Sequence, residues 1–470
     1  MVSKVMKARN ETTETTTGCF AQTEVRFKGR RVDVRCDAPH LSSDGGALLL
    51  RSLDDKLGLT AEFAALLDDD RDPRKVVHDR VEQMQQRVYQ IALGYEDCND
   101  ADWLRTDPLL GLACDAEGRE LSSQPTLSRF ENATSGRELN RLWRAYQQQY
   151  VEGLAVDTEL VVLDIDSTDD PTHGGQQLSF FHGFYDQYML QPLLVFDGLS
   201  GQLVTALLRP GRVHAAKGAR SLLTGLIRKI RARCPDAQIV VRGDSAFAMP
   251  KLMRHLEQLH VELGDVDYVF GLARNARLAR LPQALRELCA QQYAENKQFM
   301  RCFTWVSYAA GSWSSPRAVV AKIEHGSRGE NPRFVVTTLS DFPPRLIYDA
   351  AYCPRGQAEN FIKDFKNALS ADRLSCHRFV ANAFRLFLHA VAYRLMFALR
   401  QEVAQVAPPT LHVGTDKLRL GVAQMDTLRN RLLKVAAEVT RSVRRVLIRL
   451  PRSFPLADIF VRLLDRLAAA

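Results

Sequence analysis

The chain has 470 residues, enough for two or three domains, each with its own core. Its formal net charge of +8 suits a polyanionic partner without identifying one. No apolar run reaches the roughly eighteen residues a membrane span needs, and the nine cysteines form no CxxC pair, so neither a zinc site nor a disulfide framework is indicated. The first 24 residues are rich in Thr and charge and lack the apolar core of a secretory signal; they read as a disordered lead.

Residues 25–155 read as a mainly helical region after a short strand pair around Gly29. Leu41 to Gly58 opens with Ser and Asp cap candidates and closes at Gly58, the pattern of a helix. Arg74 to Leu93 is a second helix, stopped by Gly94. In SSQPTLSRFENA, Ser122 or Ser123 can cap a short helix with Pro125 in its first turn. Its polar face, with Gln124, Thr126 and Arg129, resembles the second half of a helix-turn-helix, although an ordinary surface helix has the same pattern. Arg137 to Tyr150 is a further helix.

The character changes at Leu160. LVVLDIDST, QPLLVFDG and LVTALLRPG are strands, Gly218 to Arg233 is an amphipathic helix, and QIVVRGDS is a fourth strand. Met249 to Leu259 is helical and DYVFGLA is a fifth strand, which makes residues 156–272 an α/β unit. Asp164 and Asp166 lie two apart on an apolar strand and so face the same side. Burying both unpaired would be expensive, and a metal or a neighbouring cation would remove the expense. Asp244 follows a buried strand and Gly243; it can be a ligand at a strand end or the N-cap of the next helix.

Residues 273–345 return to β pattern after a short helix, and carry Trp305 in mid-strand and Trp313 in the turn GSWSSP. Residues 346–405 hold AYCPRGQAENFIKDFK and then a long apolar helix from Asn382. Tyr352, Arg355, Glu359 and Lys366 are separated by three, four and seven residues, so they share one stripe if the segment is helical. A carboxylate among cations can ligate a metal while the cations meet phosphate oxygens. A solvated helix with an Arg–Glu pair has the same spacing. Residues 406–470 read as helical and basic; Leu428 to Arg452 carries eight Lys or Arg against one Glu.

The spacing of Tyr352, Arg355, Glu359 and Lys366 resembles the Tyr–Arg–Glu–Lys signature of DDE-type insertion-sequence transposases. LSSDGGALLLRSLDDKLGL, SQPTLSRFEN, LDIDST, LRPGRVHAAKG and RGDSAF look like segments of the insertion-sequence thirteen-eighty family, so the likeness covers most of the chain. The resemblance implies a ribonuclease-H-like α/β core interrupted by the β-rich insertion, a helical N-terminal DNA-binding domain and a basic C-terminal region. It makes Asp166, Asp244 and Glu359 the catalytic and metal-binding acids, selects Asp166 because it directly precedes Ser-Thr, and leaves Asp164 as a supporting acid.

Three carboxylates repel one another without cations between them, and hard oxygen ligands select magnesium or manganese; two such ions suit displacement at phosphorus. Tyr352, Arg355 and Lys366 would contact the DNA strand near the cleaved bond, and Gln124, Thr126 and Arg129 would read the terminal inverted repeats. Trp313 would stack on an extruded base, as an insertion aromatic does in transposases that pass through a hairpin; a tryptophan folded back on its own turn is the alternative. The implied partners are the element ends and target DNA, bound by a homodimer, and the implied compartment is the bacterial cytoplasm at the nucleoid. A non-catalytic DNA-binding derivative and a structure-specific nuclease on the same core are the competing functions.

Overall fold

The structure, a computed structural model, describes residues 22–116, 118–413 and 415–469. The expected lead therefore lies almost wholly outside the described residues. Its last three positions belong to the strand Gln22–Phe27, which pairs with Arg30–Arg35 across a turn in which Gly29 takes φ +82°.

The helices α1 (Ala47–Leu57), α2 (Arg80–Leu93), α3 (Gln124–Ala133) and α4 (Gly136–Glu152) build the N-terminal region. Gly58 and Gly94 end α1 and α2 in left-handed conformation, as the stop signals require. Asp79 caps α2 through the backbone N–H of Glu82, and Ser135 with Glu138 forms a capping box on α4. The Ser-Asp cap expected before α1 is not made: Gly46 occupies the N-cap without a side-chain bond. Leu41–Ser42 is instead a short strand, and Asp44 is held by the Lys434 ammonium at 2.7 Å and the Tyr95 hydroxyl at 2.8 Å. Gly45 and Gly46 leave room for the C-terminal segment Leu433 to Val435, which passes against them: a Cβ on Gly46 would stand 2.2 Å from the Leu433 Cα.

One mixed sheet organises the rest. Its strands are β1 (Leu160–Ser167), β2 (Leu193–Asp197), β3 (Leu203–Leu207), β4 (Gln238–Gly243), β5 (Val266–Leu272), β6 (Met300–Tyr308), β7 (Arg317–Gly326) and β8 (Gly329–Thr337). They lie in the order β6-β7-β8-β5-β4-β1-β2-β3. β1, β4 and β5 are parallel neighbours, as their near-continuous apolar sequences require of strands covered on both faces. β2 runs antiparallel to β1, and β3 to β2. β6 to β8 form a meander whose last strand pairs antiparallel with β5, so the β-rich segment widens the same sheet. Helices α5 (Ala219–Arg233) and α6 (Pro250–Leu263) pack on one face around Leu223, Ile227, Met253 and Leu256.

Between β8 and the long helix, the chain from Pro344 to Ala368 is helical throughout but not one α-helix. A π turn over Ile347–Tyr352, a 3₁₀ turn over Cys353–Gly356, the helix α7 (Gln357–Lys363) and a second π turn over Asp364–Ala368 follow one another. Pro354 explains the break, because its ring and missing N–H interrupt an α ladder. The long helix α8 (Phe379–Val406) is buried along most of its length and joins the N-terminal helices to the sheet: Phe387 packs on Phe63 and Trp143, and Tyr146 donates to the Ala390 carbonyl at 3.0 Å. Among the described residues no helix is long and apolar enough to cross a membrane.

The C-terminal region is not simply helical. Ala437–Ser442 and Arg445–Arg449 form a hairpin, and Ala437 and Glu438 pair with Ser42 and Leu41. The signal was present in the alternation that opens AEVTRS, which has the period of a strand, and in the short β-branched run of RVLIR. Arg441, Arg444, Arg445, Arg449 and Arg452 are exposed, whereas Arg429 donates to the carbonyls of Ala92 and Ala368 and serves packing.

Candidate active site

Asp166 lies near the carboxyl end of β1, and Asp244 directly follows β4, the parallel neighbour of β1. Adjacent parallel strands thus deliver both acids to one edge of the sheet. Asp244 accepts the Ala246 N–H at 2.9 Å and so caps the 3₁₀ turn Ser245–Phe247, whereas the helix that follows has Met249 at its N-cap. The Asp166 carboxylate accepts the Ser167 N–H at 2.8 Å. Burial, and next the charge of Asp244, push the Asp166 carboxyl up to about 6, against the opposing charge of Arg355.

Arg355 links this pair to the helical run. Its guanidinium stands 3.5 Å from the Asp166 carboxylate and 3.9 Å from that of Glu359, and its side chain is 16% exposed while that of Glu359 is 62% exposed. Tyr352 lies under Arg355, 5.8 Å from ring centroid to guanidinium carbon, and its hydroxyl reaches over β5 so closely that a Cβ on Gly271 would meet it at 2.5 Å. Burial, first among several causes, raises the Tyr352 phenol above its ordinary value.

The expected stripe is split. Lys366 follows α7 in the second π turn, and its ammonium donates to the Asp169 carbonyl and carboxylate, both at 2.9 Å, with Asp372 at 3.7 Å. The irregular helical run shifts the angular spacing on which a single stripe depends. Arg355 therefore stands between Asp166 and Glu359, while Lys366 is bound to Asp169, three residues past Asp166.

Asp164 shares a face with Asp166 but has a different task. Its carboxylate takes two charge-assisted bonds from Arg242, at 2.6 and 2.7 Å, with both side chains buried. Arg242 also donates to the Ala351 carbonyl at 3.0 Å, which fixes the π turn against the sheet. Asp164 is thus a structural support for the site, with no free oxygen turned to a substrate. Arg242 was missed in the sequence, although a lone cation in the apolar strand QIVVRG, opposite an aspartate, was the available signal. Asp169 and Tyr185 were also missed; Asp169 was hidden in the acidic run after the first motif.

Trp313 does not stand free. It is half-buried, packs edge-on against Tyr308 at 5.3 Å and lies beneath the Arg317 guanidinium at 5.1 Å. A turn on the meander's rim still leaves room for the indole to fold back on its own strands. Gln124 and Thr126 are half-buried at the start of α3 and Arg129 is exposed one turn on, donating to the Thr126 hydroxyl at 3.2 Å. Thr126 and Arg129 border a basic cleft of about 540 Å³ that Arg71, Lys75 and Arg80 also line.

The residues present fit a hard divalent cation in chemistry: three carboxylates, two of them close enough for mutual repulsion, with an arginine already drawn among them. Among the described residues no three ligating side chains have converged to ion-binding geometry. On the transposase resemblance seen in the sequence, Arg355→Ala should weaken binding of cleavage-ready DNA and lower the slope of log affinity against log salt by about one phosphate contact. Polarisation titrations over a salt series test this, and an unchanged slope would leave Arg355 as an internal counter-charge only.

No curated protein matches the sequence. Among solved structures, the chain is similar to a piggyBac transposase synaptic complex with hairpin DNA, with 12% identity and a TM-score of 0.43 over 82% of this chain and 79% of that one. The family model for the transposase DDE domain group 1 matches residues 25–470. That match spans nearly the whole sequence, from the first hairpin through the sheet acids to the C-terminal helix, and the chain belongs to this transposase family.

Proposed function

We propose that the protein is a metal-dependent transposase of the insertion-sequence thirteen-eighty type, which cuts and joins DNA strands at the terminal inverted repeats of its own element. The observation that carries this is the meeting of Asp166 and Asp244 at the ends of adjacent parallel strands, with Arg355 bridging from Asp166 towards Glu359. The β3-β2-β1-β4-β5 order, with β2 alone reversed against its neighbours, supports a ribonuclease-H-like core.

On this reading Asp166, Asp244 and Glu359 hold magnesium or manganese, two ions in the working complex. When bound, the ions supply charge for in-line displacement at phosphorus by water or a 3′-hydroxyl. Arg355 changes partner from carboxylate to phosphate as the strand enters, and Tyr352 supports its guanidinium from below. Lys366, engaged with Asp169, acts by holding the exit of β1 in place. The exposed arginines of the C-terminal hairpin add sequence-independent affinity. A homodimer would bring two element ends together.

The direct test is to incubate the full-length protein and magnesium with DNA flanking its gene. Cleavage at short inverted repeats followed by joining is expected; cleavage without joining would assign a structure-specific nuclease, and binding without cleavage a non-catalytic derivative. End recognition has its own test. Arg129→Ala, combined with Gln124→Ala, should cost repeat DNA about tenfold or more in affinity while scrambled DNA loses much less. An equal loss on both DNAs would make α3 a backbone contact rather than a reader.

A further inference from the structure

The segment between β1 and β2 carries an aromatic surface that the acids and cations described above do not account for. Asp170–Pro171, Phe180–His182 and Gln187–Leu190 form a small antiparallel sheet, in which Phe181 lies directly opposite Tyr188. Those two rings meet edge to face at 5.7 Å, and Phe184 at the turn is 84% exposed, with Tyr188 62% and Phe181 45% exposed. With Phe180 they make four of the eight exposed aromatic side chains among the described residues, all within nine positions. Random surface scatter of hydrophobic residues needs no explanation, but a cluster of this kind does.

Its position gives the explanation. The hairpin leaves β1 just after Asp166, and Gln187 is bonded to Asp169 at 2.9 Å. Tyr185 is half-buried at the same turn, and the Gln187–Asp169 bond anchors the aromatic surface three residues past Asp166. On its other side the loop LRPGRVHAAKG is fastened to the hairpin. The Gly211 N–H donates to the Leu178 carbonyl at 3.2 Å, and a Cβ on Gly211 would stand 1.9 Å from the Met189 carbonyl oxygen. This loop brings exposed Arg212 and Lys217 to the same region. Aromatic faces beside cations are what single-stranded nucleic acid requires: rings for bases, charges for phosphates.

We propose that the Phe180–Leu190 hairpin is a stacking platform for unpaired bases of the DNA strand whose phosphate lies at Asp166 and Asp244. The inference rests on the transposase reading of those acids. It gives the chain's own hairpin the base-stacking task for which Trp313 is too well packed. A second copy of the chain, the other possible occupant, would have no use for the flanking cations or for closeness to the acids.

The test uses the full-length protein with two probes: a short single-stranded oligonucleotide containing 2-aminopurine, and a duplex of the same sequence. The wild type should quench the 2-aminopurine on binding. Phe184→Ala, and Phe181→Ala with Tyr188→Ala, should each lose about tenfold in single-strand affinity together with the quench, while duplex affinity stays within about twofold. Phe184→Trp should retain both single-strand affinity and quench. Single-strand affinity unchanged in both alanine variants would overturn the platform, as would sedimentation showing that the same variants abolish a dimer. A wild type that binds neither DNA would instead overturn the transposase reading beneath it.

Discussion

Asp166→Asn, Asp244→Asn and Glu359→Gln should each reduce strand cleavage by more than about a hundredfold while leaving binding of element ends nearly intact. Loss of a group that merely orients a metal ligand already costs about 10- to 100-fold, and loss of a ligand costs more. Gel assays of cleavage and binding on the same DNA separate the two effects, and near-wild-type cleavage in any one variant would remove that residue from the catalytic set. Asp166→Asn has a second expected effect. The folded protein holds this carboxyl at about 6 against an ordinary 3.8, so it favours the protonated form. The resulting penalty is absent below the ordinary value, grows as pH rises from 4 to 6, and is complete above 6. In metal-free protein at neutral pH, Asp166→Asn should therefore gain up to about 3 kcal/mol of stability, and its advantage should vanish in acid. Denaturant unfolding at several pH values measures this; a variant less stable than wild type at neutral pH would contradict it.

Two positions away the same chemistry should give the opposite sign. Asp164 and Arg242 neutralise one another inside the sheet, with Gly198 leaving the space: a Cβ there would stand 2.4 Å from the Arg242 guanidinium and 2.6 Å from the Asp164 carboxylate. Arg242→Ala leaves a buried, unpaired carboxylate and releases the Ala351 carbonyl, at a cost of about 3–5 kcal/mol. Against a total stability of about 5–15 kcal/mol, that is enough to unfold part of the population. Replacing the pair by Leu at Asp164 and Met at Arg242 should recover most of the loss, because neither charge is then buried alone. Urea unfolding of the single and double variants decides it. A change below about 1 kcal/mol for Arg242→Ala would place the pair among the weak ones.

The contrast between these aspartates shows where the sequence was informative. Alternation along LDIDS put Asp164 and Asp166 on one face, and apolar neighbours showed that burial would need a cation, but periodicity could not say which acid the cation would take. That depended on Arg242 arriving in register from a strand more than seventy residues away. Glycine stops, caps and buried strands were legible because each is written locally, as at Gly58, Gly94 and Ser135. The irregular helical run at Tyr352 to Lys366 was less so. Its four residues keep helical spacing in the sequence, yet the π turn Asp364–Ala368 delivers Lys366 to Asp169 instead of to Glu359. In the C-terminal hairpin the two-residue period is confined to the start of AEVTRS, and the arginines on both strands mask it.

The pairing of Leu41–Ser42 with Ala437–Glu438 has a consequence for how this chain is born. The N-terminal helices emerge first from the ribosome, and although Phe63 and Tyr146 stack on one another, both also close on α8, Phe63 on Phe387 and Tyr146 on the Ala390 carbonyl. Vectorial synthesis cannot finish the N-terminal region before the last segments are released, because its nucleus is shared with them. A nascent or prematurely ended polypeptide thus presents apolar helical faces rather than a free-standing folded N-terminal region. On the function proposed above, an element would thereby be spared a truncated competitor for its own termini, and DNA binding would arrive together with Asp166, Asp244 and Glu359.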